Sequence, residues 1–227
     1  MATAFEPEVV PLNPGDKLSR AEFLRRWEAH PEIKNAELFG GIVYMASPVS
    51  VQHGDSDGQL GGLFFVYSAA TPGTATGHNT TTFILDDVAQ PDLNLRILPE
   101  YGGGSCLDDK YLRGVPELLA EITRSSVALD MHVKLELYQE ANIPEYLAVL
   151  LHEKEIRWHV LVDGTYQRLS PDADGIWRSR IFPGLWLDGQ AFFDGNMNRV
   201  LARLQEGLAS AEHQAFVAEL NRRRQAR

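Results

Sequence analysis

The chain is poor in cysteine and has no long apolar run. Cys106 is the one cysteine in 227 residues, which excludes an internal disulfide and a zinc site built from several cysteines. No apolar run approaches the roughly 20 residues that span a bilayer, and the first residues are acidic and proline-containing, unlike a signal peptide. These absences favour a cytoplasmic protein without a membrane partner. Any bound metal would use oxygen or histidine ligands.

The chain also lacks an excess of positive charge. Its formal net charge is −10, which argues against a broadly basic surface for nucleic acid. The stretch from Gln190 to Arg227 is the exception, with six arginines against four acidic residues. Both a solvated basic helix and a nucleic-acid-binding tail agree with this local charge.

The length and the 44% hydrophobic content predict one folded domain of ordinary size. We expect an N-terminal arm at residues 1–18, flexible or packed on a partner, then a domain at 19–195 and a C-terminal helical extension at 196–227. Strands are predicted at 37–45 as a hairpin, and at 80–85, 89–98, 117–123, 146–151, 155–162, 166–169 and 176–181. Helices are predicted after Ser19, at about 51–70, at 127–141, and from Phe192 to the end. The glycine-containing stretch 99–114 is predicted as a mobile loop.

Lys134 occupies an unusual position on the predicted helix 127–141, for which Ser125 and Ser126 are the candidate N-caps. At about 100° per residue, Lys134 lies on the apolar side of the helix. The polar arc on the opposite side consists of His132, Glu136, Gln139 and Glu140. One interpretation is an exposed pair with Asp130, in which the lysine stem lies on apolar surface and the ammonium reaches water. The other is a buried cation with a partner or a catalytic role.

Two strand residues supply candidate carboxylates. Alternation in the strand after Pro91 puts Asp92 on its polar face, and Glu121 interrupts an otherwise apolar run. A buried carboxylate must be protonated, paired or bound to a cation, because an isolated buried charge is too costly. Asp92 could also be an ordinary strand-start carboxylate, and Glu121 could form a structural salt bridge with Lys134 or Arg96.

Taken together, Asp92, Glu121 and Lys134 form a set that suits phosphodiester hydrolysis. Carboxylate oxygens are the ligands of Mg²⁺ or Mn²⁺, which polarise a phosphate and lower the pKa of a bound water. A nearby lysine orients that water or stabilises the developing negative charge. The order and spacing of the three residues favour this reading over three separate structural explanations.

The sequence resembles the Uma-type family of restriction-endonuclease-like proteins, within the PD-(D/E)XK nuclease superfamily. The segments that carry the resemblance are Pro91-Asp92, Pro116 to Ser126 with Glu121, Asp130 to Tyr138 with Lys134, Ile143-Pro-Glu-Tyr146, Glu37-Leu38 with Gly41, His53, and Phe182-Pro-Gly-Leu185. They cover roughly residues 19 to 195.

This resemblance implies an α/β fold with a mixed central sheet flanked by helices, to which the predicted elements add a strand-rich second half and a C-terminal helical extension. It also implies that Asp92 and Glu121 are metal ligands. In most of the superfamily the lysine lies two residues after the second acid, where this chain has Thr123. The resemblance therefore assigns the role of that lysine to Lys134, on the following helix. Glu37 is a candidate auxiliary residue and third metal ligand, or else a structural glutamate, and His53 is a weaker auxiliary candidate that could contact substrate phosphate.

The function that these expectations favour is a Mg²⁺-dependent or Mn²⁺-dependent endonuclease acting on DNA. The alternative is a binding or scaffold protein that keeps the nuclease fold without turnover. Many nucleases of this fold act as dimers, and the C-terminal helix is the segment that we expect at a homodimer interface.

Overall fold

The computed structural model describes residues 9–45, 48–123 and 129–226 of the chain. The helices are α1 (Arg20–Ala29), α2 (Val51–Ala70), α3 (Lys134–Glu140), α4 (Gly189–Phe193), α5 (Met197–Leu208) and α6 (Ala211–Gln225). The strands are β1 (Ala36–Phe39), β2 (Ile42–Met45), β3 (Thr74–His78), β4 (Thr82–Ile84), β5 (Asp87–Ala89), β6 (Leu93–Ile97), β7 (Gly104–Asp108), β8 (Tyr111–Val115), β9 (Leu118–Thr123), β10 (Glu145–Leu150), β11 (Glu155–Val162), β12 (Thr165–Arg168), β13 (Ile176–Arg178) and β14 (Trp186–Asp188).

The first sheet has six strands in the order β12-β11-β10-β9-β6-β3. Strands β9 and β10 pair in parallel and the other neighbours pair antiparallel, so the sheet is mixed. Every residue of β9 and β10 is buried, which explains their nearly continuous apolar sequence. The expected mixed sheet flanked by helices is confirmed.

The two faces of the first sheet are covered differently. Helices α2, α4, α5 and α6 cover one face, around fully buried residues such as Phe64, Trp158 and Leu204. Helix α3 and part of the second sheet cover the other face, around Tyr138 and Tyr146. Burial of each such large apolar side chain contributes about 1.5–3 kcal/mol. The face under α3 is the one that carries the candidate site.

The second sheet also has six strands, in the order β2-β1-β5-β4-β8-β7, and α1 packs on it through Phe23 and Trp27. Two sequence predictions are wrong here. The stretch 99–114 is a short 3₁₀ turn followed by the hairpin β7–β8, not a structureless loop. The predicted strand 89–98 is two strands in two sheets, because Pro91 has no N–H for a ladder and the chain crosses between the sheets there.

Two terminal predictions also change. The described part of the arm packs on its own chain: Gly15 N–H donates to Val43 at 2.8 Å, and Leu12 is buried. The region predicted as helical from Phe192 to the end contains α4, α5 and α6, separated at Gly195, which has φ 69°, and at the N-cap Ser210. Residues 1–8 and the candidate N-caps Ser125 and Ser126 lie outside the described residues. The dimer contact expected of the C-terminal helix stays a prediction.

The segment before α3 differs from the expected α-helix. Leu129–Val133 forms a π-helical turn, and α3 proper begins at Lys134. The helix ends before Asn142, which has φ 59°, and Pro144 follows two residues later. π-Turns are rare and often accompany functional sites, because they shift the side chains that follow.

None of the helices in the described ranges is both long enough and apolar enough to cross a membrane.

Glu145 connects the segment between β13 and β14 to the first sheet through hydrogen bonds. Its side chain is fully buried, and it accepts hydrogen bonds from Ser179 Oγ at 2.6 Å and from the N–H groups of Arg180 and Ile181 at 2.6 and 3.3 Å. Burial raises the pKa of Glu145 from 4.5 to about 7, although these hydrogen bonds act in the opposite direction.

We expect this carboxyl group to make the protein less stable as the pH rises from 4.5 to about 7. In that interval the folded state retains a proton that the unfolded state has lost, a difference on the order of 3 kcal/mol in the free energy of unfolding. A Glu145→Gln variant should lose this contribution, as measured by urea denaturation at pH 5 and pH 8. Glu155→Gln is the control, because Arg157 and Arg168 lower the pKa of Glu155, so that its effect on stability changes below pH 4.5 and the wild-type slope between pH 5 and pH 8 should remain. A wild-type pH slope in Glu145→Gln would contradict the assignment.

Candidate active site

Asp92 directly precedes β6, and Glu121 lies on the neighbouring strand β9. The antiparallel register of these strands pairs Leu93 with Ala120, which are the sequence neighbours of Asp92 and Glu121. The Asp92 side chain reaches across, and its Oδ2 accepts the N–H of Ile122 at 2.7 Å. Asp92 remains 17% exposed at its side chain, whereas Glu121 is 4% exposed. One carboxylate is therefore open to solvent and the other is enclosed.

Lys134 enters the site from the first turn of α3. Its side chain is 4% exposed, and Nζ lies 2.8 Å from Glu121 Oε1 and 3.2 Å from Glu37 Oε1. The ammonium therefore does not reach water along the helix surface, as one reading of the sequence allowed. We call Glu37, Glu121 and Lys134 the lysine cluster. The alternative partner Asp130 has its side chain outside the described part of the chain.

Glu37 joins the lysine cluster from the second sheet. It lies on β1, and its Oε1 also accepts the N–H of Gln90 at 2.7 Å. Gln90 precedes Pro91 and Asp92 at the crossing between the sheets. The cluster is thus assembled from both sheets and from α3. Removing either partner of a buried ion pair leaves an uncompensated charge, which is strongly destabilising.

Tyr138 is a further contact that the sequence analysis did not assign a role. It follows Lys134 by one helical turn, is fully buried, and donates its hydroxyl to Glu121 Oε1 at 3.2 Å. The i,i+4 spacing of Lys134 and Tyr138 is the sequence signal that both face the same strand. Glu121 Oε1 therefore accepts from an ammonium and from a phenol.

His53 lies beside Asp92 near the start of α2. Ser50 caps this helix by accepting the N–H of His53 at 3.2 Å, and His53 Nε2 lies 3.4 Å from Asp92 Oδ2. The hydrogen bond with the Asp92 carboxylate raises the pKa of His53, while burial opposes the shift. His53 Nδ1 is buried and has no hydrogen-bond partner among the described residues. Buried polar atoms are rarely unsatisfied, so His53 Nδ1 is an exception within the described part of the site.

Asp57 and His78 extend this side of the site. Asp57 follows His53 by one turn, and its Oδ2 lies 3.6 Å from His78 Nδ1. Burial raises the pKa of Asp57, and the nearby Asp92 acts in the same direction. Gly61 makes room for the His78 ring, because an added Cβ would lie 2.1 Å from His78 Cε1. The four-residue spacing of His53 and Asp57 was the sequence signal that these two side chains lie on the same side of α2.

The donor set decides which metal the site could hold. Within the described ranges, no three His, Cys, Asp or Glu side chains are grouped to hold a metal ion. Mg²⁺ needs fewer protein ligands, because it keeps several waters and is typically bound by one or two carboxylates and substrate phosphates. Asp92 and Glu121 provide such a pair, with Glu37 adding negative charge nearby. The residues therefore fit a hydrated divalent cation shared with a substrate, and they do not fit a metal enclosed by protein ligands.

A family model decides the relationship of this chain to other proteins. The model of the Uma2 family, described as "Putative restriction endonuclease", matches residues 20–190, which is more than half of the chain. The chain belongs to the Uma2 family. Membership supports a nuclease, and it confirms the family resemblance drawn from the sequence.

A solved structure shows the same fold at low sequence identity. The chain is similar to a protein from Anabaena variabilis ATCC 29413, described as "a putative nuclease belonging to DUF820". The TM-score is 0.56 at 9% identity, over 82% of this chain and 99% of the other. No curated protein sequence matches the chain significantly. For this Uma2 chain, the likeness to the Anabaena protein therefore supports the fold, and the family model supports the function class.

The structure arranges the predicted residues of this Uma2 protein in two linked groups. Glu37, Glu121 and Lys134 are in direct contact, and His53 is in contact with Asp92. The two groups meet where Asp92 accepts the N–H of Ile122, the residue after Glu121. Arg96, the other predicted partner of Glu121, donates to Asn94 Oδ1 at 2.8 Å instead.

Proposed function

We propose that this protein is a metal-dependent endonuclease that hydrolyses phosphodiester bonds of DNA. The observation that carries the proposal is the lysine cluster beside Asp92. A buried ammonium is held between two carboxylates, and a third, partly exposed carboxylate, that of Asp92, accepts the N–H of the residue after Glu121. This arrangement is suited to a reaction in which negative charge develops on a phosphate.

Asp92 and Glu121 would hold Mg²⁺ or Mn²⁺, with Glu37 as a candidate third ligand. When bound, the cation would polarise the phosphate and lower the pKa of the attacking water. Asp92 is suited to the substrate side because it is the more exposed of the two. His53 positions the Asp92 carboxylate by its contact with Oδ2.

Lys134 would orient the attacking water and stabilise charge on the phosphate. Its ammonium is largely removed from solvent, where electrostatic interactions are stronger than in water. Glu37 and Tyr138 support this role indirectly: Glu37 contacts the ammonium, and Tyr138 contacts the same oxygen of Glu121 as the ammonium does. Both reduce the number of positions that Lys134 and Glu121 can adopt.

DNA is proposed as the substrate on the basis of family membership and not of surface charge. The net charge of −10 predicts weak non-specific binding that decreases further with salt. Cleavage would therefore depend on contacts near the site or on a partner that delivers the DNA.

The alternative is a nuclease-fold binding protein without turnover. The direct contact of Lys134 with Glu121 favours it, because the ammonium occupies one oxygen of a proposed metal ligand. The endonuclease requires a divalent metal ion for turnover, whereas the binding protein does not.

Calorimetric titration with Mg²⁺ and Mn²⁺ separates these functions. We expect binding by the wild type, loss of that binding in Asp92→Asn, and nicking of supercoiled plasmid that stops when EDTA is added. Asp108→Asn is the control, because Asp108 lies on β7 and pairs with Arg113. Binding that survives in Asp92→Asn would remove Asp92 as a ligand. If the protein neither binds metal nor nicks DNA, the endonuclease is excluded and the binding protein without turnover is favoured.

A further inference from the structure

Strand β6 carries an arginine on the face of the first sheet that holds the candidate site. The apolar residues of this strand pack on the other face, in the core under α2, α4, α5 and α6. Alternation along the strand therefore directs Asn94 and Arg96 to the site face. The pairing of the strands agrees, because Asn94 lies opposite Leu119, which packs with Tyr138 on that face.

Arg96 is half-buried and has no carboxylate partner within residues 9–45, 48–123 and 129–226. Its Nη1 donates to Asn94 Oδ1 at 2.8 Å, which leaves most donors of the guanidinium unused. Glu117 is the nearby carboxylate, but its two oxygens accept the N–H groups of Ile97 at 2.6 Å and Gly104 at 2.8 Å. Burial lowers the pKa of Arg96, and Glu117 acts in the opposite direction. Because a half-buried charge without a counter-ion costs free energy, this position favours an anionic ligand.

The guanidinium is held in place by an amide that is itself fixed. Asn94 is fully buried, and its Nδ2 donates to the carbonyl of Gly77 at 3.4 Å, so that Oδ1 faces Arg96. Gly77 makes room for this amide, because an added Cβ would lie 2.8 Å from Asn94 Nδ2. A cation that is positioned before its ligand arrives loses less side-chain entropy on binding.

The bond to Asn94 turns the guanidinium back towards Asp92. Asn94 follows Asp92 by two residues, and two residues of extended chain span about 7 Å. Consecutive phosphates in one strand of a DNA duplex are separated by about 3.4 Å along the helix axis. A strand whose scissile phosphate lies at Asp92 therefore brings a neighbouring phosphate within reach of Arg96.

The charge of the candidate site calls for a cation at this point. Glu37, Glu121 and Asp92 are acidic, and Lys134 offsets only part of their charge. A metal ion at Asp92 and Glu121 would attract the scissile phosphate, but the next phosphate along the strand needs a cation of its own. Arg96 is a cation on the same strand face that no carboxylate neutralises, and guanidinium groups bind phosphate through two parallel hydrogen bonds.

We propose that Arg96 binds a phosphate of the substrate strand next to the one that is cleaved. The ligand is a phosphodiester anion, bound without regard to the base that it carries. This inference rests on the proposed nuclease function and makes Arg96 a residue that binds and positions the strand, while the reaction itself takes place at Asp92, Glu121 and Lys134.

Binding of fluorescein-labelled duplex DNA in EDTA, measured by anisotropy at a series of KCl concentrations, tests the proposal without cleavage. Arg96→Met should bind about tenfold more weakly than the wild type, by the same factor for two duplexes of unrelated sequence. Loss of one phosphate contact should also make the slope of log K against the logarithm of the KCl concentration shallower by about 0.9. Arg96→Lys keeps the charge and should retain the wild-type slope. Arg203→Met is the matched control, because Arg203 lies on α5, on the other side of the first sheet, and pairs with Glu206 at 2.7 Å.

Two further measurements distinguish a binding residue from a structural one. The melting temperature of Arg96→Met should equal or exceed that of the wild type, because the substitution removes a half-buried charge that has no counter-ion. An arginine required for the fold would lower it. Plasmid nicking in Mn²⁺ should show a raised KM with a nearly unchanged kcat, as expected when a contact made equally in the ground state and the transition state is lost.

Four results would overturn the phosphate contact. They are wild-type affinity and salt slope in Arg96→Met, an equal loss of affinity in Arg203→Met, a lowered melting temperature of Arg96→Met, and no binding of DNA by the wild type. Failure of the proposed function gives a different pattern, because a protein that does not nick plasmid can still lose DNA affinity in Arg96→Met. Conversely, a protein that nicks plasmid with the same KM in wild type and Arg96→Met is a nuclease that does not use this arginine.

Discussion

Replacing Glu121 with glutamine is expected to slow nicking of supercoiled plasmid in Mn²⁺ on the order of 10²–10³-fold. The substitution removes one negative charge from the proposed metal site while retaining an oxygen that can accept from Lys134 and Tyr138. Lys134 keeps its ion pair with Glu37, so the protein should still fold, whereas the reaction should be slowed. Initial rates of conversion from supercoiled to nicked plasmid measure the effect.

Glu145→Gln is the matched control for this experiment. Glu145 is also a buried carboxylate, on the strand next to Glu121, but its oxygens accept from Ser179, Arg180 and Ile181 and not from the lysine cluster. We expect it to nick plasmid at close to the wild-type rate. Equal rates for wild type and Glu121→Gln would exclude Glu121 from the reaction.

Replacing Lys134 with methionine is expected to lower the free energy of unfolding by about 3–5 kcal/mol at pH 8. The ammonium lies between two largely buried carboxylates, and methionine of similar size leaves their charge without this partner. Urea denaturation at pH 8 provides the measurement.

Lys110→Met distinguishes a buried lysine from an exposed one. Lys110 pairs with Glu28 at 3.0 Å, but its side chain is 56% exposed. Such pairs contribute at most about 1 kcal/mol, so a loss of that size or less is expected. If Lys134→Met is no more destabilising than Lys110→Met, the lysine cluster is not the closed ion pair that its distances indicate.

The sequence predicted the local features of this site better than its assembly. Periodicity alone placed α2 and the apolar orientation of Lys134, because both depend on spacing within one helix. The contact of Lys134 with Glu37 was not predictable in this way, since it requires the packing of the second sheet against α3. The π-turn at Leu129–Val133 also has no sequence signature, although it sets where Lys134 enters the site.

The errors in the fold prediction have physical causes as well. The glycines at 102–104 indicated a loop, but Gly104 begins a strand of the hairpin β7–β8, whose turn at Asp109 has φ 54°. Asp adopts this conformation more readily than most residues. The turn at Asp109 was not predicted, because the preceding glycines favoured a loop. Pro91 was read as part of a strand start, whereas it marks the crossing between two sheets.

The crossing at Gln90, Pro91 and Asp92 sets the spacing of the whole site. Its first residue donates to Glu37 and its last accepts from Ile122, so three consecutive residues bind one sheet to the other at both ends. A single inserted residue here would change the distance between carboxylates that come from different sheets. The tip of the β7–β8 hairpin has no such constraint from the site. The chain can therefore vary in length at that hairpin. The connection before Asp92 must keep its length for the carboxylates of the site to stay in place.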